Sequence, residues 1–116
     1  MTRLPFDQHM LLACAAPRTV LVNSAADDAW ADPASEQAAC TAASPAWEVF
    51  GVPGYLGADA PYGTESGSLS GGVAYYKRSG VHFLGRSDWL RLLSIMENAA
   101  SGGGTVSNDR ASARQG

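Results

Sequence analysis

A chain of 116 residues, 46% of them hydrophobic and 16% charged, has room for one small globular domain and no more. Its net charge of −3 leaves no basic footprint for a nucleic acid, and no run of about 18 apolar residues exists to span a membrane. The opening Met1-Thr2-Arg3-Leu4-Pro5-Phe6-Asp7 lacks an apolar h-region, so no secretory signal peptide is expected there.

In chain order, Asp7 is placed to cap a short helix through Met10, Leu11 and Ala13, which must stop near Ala16 because Pro17 bars continuation. Thr19-Val20-Leu21-Val22-Asn23-Ser24 is apolar and β-branched without alternation, the pattern of a strand covered on both faces in a parallel sheet. A polar turn follows through Asp27, Asp28 and Trp30. Asp32-Pro33 then opens a helix with a capping carboxylate ahead of a proline at the first helical position. Its alanines 34, 38, 39, 42 and 43 make it thin, and a helical turn around Trp47, Val49 and Phe50 follows.

Residues 51–72 are rich in Gly, Ser, Pro and Asp and read as one long loop, of a length that tends to carry function. Val73-Ala74-Tyr75-Tyr76 is the second strand, closed by Lys77-Arg78-Ser79-Gly80, with Lys77 and Arg78 expected in solvent. Ser87 is placed to cap a last helix in which Trp89, Leu92, Leu93 and Met96 form one apolar stripe against the sheet. From Ser101 the composition turns to glycine, serine and charge, the mark of a disordered tail over 101–116.

Helix, strand, helix, strand, helix is an α/β order with a parallel sheet. Two parallel strands cannot be covered by three helices without leaving both sheet edges open, so the pattern fits the end of a larger fold and allows self-association through an open strand edge.

Functional groups of open α/β sheets gather beyond the carboxyl ends of the strands. Asp28 lies four residues past the first strand and His82 six past the second. An acid after one strand and a histidine after the next is the latter part of the hydrolase order nucleophile, acid, histidine. The carboxylate fixes the imidazole tautomer and stabilises the imidazolium, which lets the ring take a proton from a nucleophile. His9, in the first helical turn beside Asp7, suits a structural hydrogen bond instead. Neither histidine lies in a metal-binding spacing, and no metal or cofactor is expected. Cys14 and Cys40 sit in alanine-rich surroundings and read as buried small hydrophobes; Trp47 and Trp89 read as core.

Three stretches carry a resemblance. Leu4-Pro5-Phe6-Asp7-Gln8-His9-Met10-Leu11-Leu12-Ala13 with Ala16-Pro17-Arg18 resembles the segment leading into the penultimate strand of the glucuronoyl esterases. Asp27-Asp28-Ala29-Trp30-Ala31-Asp32-Pro33 is similar to the turn after that strand in their bacterial members. Tyr75-Tyr76-Lys77-Arg78-Ser79-Gly80-Val81-His82, followed by Asp88-Trp89, is similar to the stretch bearing their catalytic histidine.

The resemblance runs from about Leu4 to about Asn98 and implies the C-terminal fragment of an α/β-hydrolase fold. Residues 1–100 would hold its last two parallel strands with three or four helices. It implies His82 as general base, Asp28 as supporting acid and Trp30 as a substrate contact, its flat indole suited to a sugar ring. Some members place the working acid, a glutamate, after the preceding strand, a region this chain does not contain. The implied substrate is a glucuronate ester, in nature the ester joining glucuronoxylan to lignin, and the implied compartment is secreted or periplasmic.

The family's nucleophile sits in a Gly-Cys-Ser-Arg-type elbow, which this sequence lacks, and there is no Gly-x-Ser-x-Gly; Ser66, Ser68 and Ser70 lack the flanking glycines. The chain is therefore expected to be inactive alone. Two alternatives stand beside the esterase fragment: a non-catalytic binding or assembly module, and a fragment of another α/β-hydrolase such as an acetyl xylan esterase or dienelactone hydrolase.

Overall fold

The computed structural model describes residues 4–59 and 66–101, arranged as α1 (Gln8–Ala13), β1 (Val20–Ala25), α2 (Pro33–Glu48), β2 (Ser66–Ser68), β3 (Val73–Arg78) and α3 (Arg86–Ala100). Asp7 accepts a hydrogen bond from the Gln8 N–H, and Cys14 closes α1 ahead of Pro17. Asp32 precedes Pro33 in a left-handed conformation (φ 52°), which a short polar side chain tolerates better than most, but the expected capping carboxylate needs correction: it caps no backbone N–H and accepts the Ser35 hydroxyl at 2.5 Å instead. α2 runs unbroken through Pro45 to Glu48, so the turn expected around Trp47 is the end of the same helix.

β1 and β3 pair in parallel, with Val20 beside Val73 and Ala25 beside Arg78. The expectation of a two-stranded sheet needs correction. β2 adds a third, antiparallel strand from within the stretch read as a loop, giving the order β1-β3-β2. Ser66-Gly67-Ser68 offers none of the branched or aromatic side chains that mark a strand. It pairs because Gly67, at φ +143°, lets the backbones close: a Cβ there would stand 2.1 Å from the Tyr75 carbonyl oxygen. Glu65 and the expected tail beyond Ser101 lie outside the described residues.

Alternation in the paired strands gives the sheet two unlike faces. On one face Val20, Val22, Val73 and Tyr75 meet α1 and α2 around Cys40, Ala43, Trp47 and Tyr55, which form the core. Trp47 is fully buried, and its indole N–H donates to the Arg18 carbonyl at 2.9 Å. The Tyr75 hydroxyl donates to the Pro33 carbonyl at 3.0 Å, and its ring meets Tyr55 edge-on. Burial pushes the Cys40 thiol up to about 12, with the nearby Glu36 charge adding to it. Cys14, in contrast, is exposed, because the short α1 presents it on its outer side.

The opposite face carries Asn23, Tyr76 and Arg78 and receives α3. The packing side of that helix is one residue away from the expected stripe. Asp88 and Ile95 are buried and Leu92 is half-buried, whereas Trp89 (52% exposed), Leu93 and Met96 face outward. One residue is about 100° of helix rotation. Charge sets that rotation: Asp88 engages Arg78 and Asn23 on the sheet, and Arg91 lies over the Tyr76 ring at 3.5 Å. The cap of α3 is Gly85 instead of Ser87, with the Asp88 carboxylate accepting the Gly85 N–H at 2.8 Å. No helix among the described residues is long and apolar enough to cross a membrane.

Candidate active site

β1 and β3 run in the same direction, so the turn after Ala25 and the loop after Arg78 emerge side by side. The Asp27 N–H donates to the Gly80 carbonyl at 3.0 Å, tying the two together. Asp28 and His82 face each other across this junction. His82 Nδ1 lies 2.5 Å from Asp28 Oδ2, and the other carboxylate oxygen accepts the Ala31 N–H at 3.3 Å.

The Asp28 carboxyl is held below its ordinary value of 3.8, first by the His82 hydrogen bond; partial burial opposes this, and the Ala31 N–H, the His82 charge and the Trp30 N–H add to it. A carboxylate only accepts, so Nδ1 carries the proton toward Asp28 and Nε2 is left with its lone pair. Asp28 is sheltered (13% exposed), while the His82 ring is 85% exposed. That asymmetry leaves Nε2 open to an incoming group.

A cavity of about 230 Å³ opens beside the pair, lined among others by Asn23, Ser24, Asp28, Glu36, Arg78 and His82. The Ser24 hydroxyl donates to Glu36. Trp30 shares the turn with Asp28 but is 96% exposed and does not line the cavity. His9 stands 4.0 Å from Asp7, an ion-pair distance and longer than a hydrogen bond.

A family model for the fungal glucuronyl esterases matches residues 1–51, which include β1, Asp28 and Trp30. Carbohydrate esterase MZ0003, from an unknown prokaryotic organism, is 37% identical over 102 residues, which make up 87% of this chain and 23% of that protein. The 4-O-methyl-glucuronoyl methylesterase of Phanerochaete carnosa is 42% identical over 50 residues, covering 43% of this chain and 12% of its own length. A CE15 glucuronoyl esterase from Teredinibacter turnerae superposes on 82% of this chain and 22% of its own, with a TM-score of 0.73 and 31% identity.

Over most of its length this chain is similar to a segment of the glucuronoyl esterases. It spans less than a quarter of the length of each of these relatives, and its sheet is part of an α/β-hydrolase fold. Sequence reasoning missed a further part of the candidate site. Lys77 and Arg78 do not end the strand in solvent; both are buried, and Arg78 reaches the cavity wall. A basic pair before Ser-Gly reads as a solvated strand end unless a partner is recognised. The signal was Asp88, an acid in the first turn of the next helix, where it can serve a cap and a sheet residue together.

Proposed function

We propose that this segment supplies the general base, His82, and its supporting acid, Asp28, to a serine-type carboxylic ester hydrolase acting on glucuronoyl esters, in nature those that join glucuronoxylan to lignin. The observation that carries this is the contact of His82 Nδ1 with Asp28 Oδ2 at the carboxyl ends of two parallel strands. The named activities of the relatives supply the substrate class.

In such an enzyme Nε2 takes the hydroxyl proton as the serine oxygen attacks the ester carbonyl. Asp28 stabilises the imidazolium, which then gives that proton to the departing alcohol. Water, deprotonated by the same nitrogen, releases the glucuronate and restores the serine. Trp30 lies two residues from Asp28 with its indole face free, a platform for the C–H face of the sugar ring.

The test is reconstitution. The chain alone is expected to hydrolyse benzyl glucuronate no faster than buffer, because no serine among the described residues stands in a strand–turn–helix elbow. Residues 4–98 placed into the Teredinibacter turnerae esterase, in exchange for its equivalent segment, should restore turnover that the truncated relative lacks. Turnover by the isolated chain that disappears on His82→Ala would defeat the proposal and require a nucleophile within these 116 residues.

The lone segment also leaves one edge of β1 unpaired among the described residues, beside half-buried Val20, Leu21 and Val22. Self-association through that edge is expected. Light scattering over a dilution series checks it, a monomer at all concentrations being the contrary result.

A further inference from the structure

We propose that Arg78 is the positioning residue for His82, its guanidinium clamping the backbone of the 79–83 loop so that the imidazole is presented to Asp28. The inference rests on the His82–Asp28 pair being the functional one. The His82 ring is too exposed to be fixed by packing, so its place is set by the loop that carries it and by Asp28 alone.

Three carbonyls of that loop are held from one side chain. Arg78 Nη1 donates to the Ser79 carbonyl at 2.9 Å, and Nη2 donates to the Val81 carbonyl at 3.0 Å and to that of Phe83. The last two flank His82 in sequence. The Phe83 ring stacks on the guanidinium at 4.2 Å, and Gly80 turns past it at φ +95°, where a Cβ would come within 3.3 Å of Nη1. The remaining carbonyls of the approach are tied to the turn of Asp28: Arg78 to the Ala26 N–H at 2.8 Å and Gly80 to the Asp27 N–H.

The clamp is itself anchored. Arg78 Nε donates to both Asp88 oxygens at 3.0 Å. Asp88 also receives Asn23 Nδ2 at 2.7 Å, the Gly85 N–H and Arg91 Nη1 at 3.2 Å. Burial works to raise the Asp88 carboxyl, but the Gly85 N–H, Asn23 and Arg78 outweigh it and the net displacement is downward, so the group stays charged.

A buried ion pair is often replaceable by apolar side chains at no loss of stability, so stability alone does not account for one here. Gathering several carbonyls of one loop needs a planar fork of donors; a lysine ammonium offers a single point of attachment.

The experiment uses the full chain. Carboxyl ¹³C NMR follows the titration of Asp28, whose nearest polar groups are His82 and the Ala31 and Trp30 N–H groups. Hydrogen exchange follows the amides of 79–83, and the near-UV signal of Trp47 reports the core. In Arg78→Lys, with the core signal kept, the downward displacement of Asp28 should be lost as fully as in His82→Ala, and loop protection should fall at least tenfold. Gly80→Ala, which strains the loop at its positive φ and crowds Nη1 while leaving the Arg78 and Asp88 side chains in place, should do the same and decides the matter where Arg78→Lys fails to fold. Either folded variant keeping both the Asp28 midpoint and the loop protection overturns the clamp and leaves the pair intact. Equal Asp28 midpoints in the parent chain and His82→Ala would instead overturn the pair, and the clamp with it.

Discussion

In an esterase reconstituted around residues 4–98, His82→Ala is expected to lower kcat by about 10⁴- to 10⁶-fold, with little change in KM. The ring is the group held against the sheltered carboxylate whose Nε2 is open to take and return the serine proton. With it gone, the serine hydroxyl must lose its proton to water, and the departing alcohol has no acid to receive one from. The substrate is held by groups elsewhere, so binding should survive.

Asp28→Asn is the sharper companion. If Asp28 is the sole acid, the amide would reverse the tautomer and cost about 10⁴-fold. If a glutamate from the remainder of the fold shares the role, the loss should stay below about tenfold. The pH profile separates the two as well. The folded value of Asp28 lies below its ordinary 3.8, so the carboxylate is present throughout the neutral and mildly acid range and is lost only as pH falls through that lowered value. Its stabilising contribution is likewise complete above the unfolded value and disappears below the folded one. An acid limb of kcat/KM near neutrality would therefore belong to another group.

The pair itself was legible because it depends on order along the chain. A strand, an acid, a second strand and a histidine fix which end of the sheet both side chains reach, whatever the packing. The same holds for β1, for the Asp32-Pro33 start of α2 and for Trp47, each signalled by its local residues. What escaped depends on partners distant in sequence. Ser66-Gly67-Ser68 is a strand only because Tyr75 and Tyr76 offer an edge that glycine can approach.

α3 has two plausible faces one residue apart. Apolar periodicity favours Trp89, Leu93 and Met96, yet the sheet beneath presents Asn23, Tyr76 and Arg78, and the face with Asp88 wins. Leaving a buried guanidinium and carboxylate unpaired would cost several kcal/mol, while the outward stripe keeps about half of its surface covered where it lies.

The two tryptophans separate these layers experimentally. Trp47→Ala is expected to destabilise the chain by about 3–5 kcal/mol, a large share of the roughly 5–15 kcal/mol of a small domain. The ring is fully buried between α2 and the sheet, and it fits so closely that a Cβ on Gly72 would stand 2.1 Å from its Cδ1. Removing it leaves a void that the backbone at Gly72 cannot fill and strips the Arg18 carbonyl of its donor, about 1 kcal/mol in itself. Trp89→Ala, from the exposed face of α3, should change stability by no more than about 0.5 kcal/mol. Urea unfolding of the dilute chain followed by far-UV circular dichroism measures both, with Trp47→Phe expected to fall between them. Equal losses at the two positions would mean that α3 packs through its apolar stripe. Arg78 would then have no buried carboxylate at Asp88, and the orientation that brings His82 to Asp28 would need another cause.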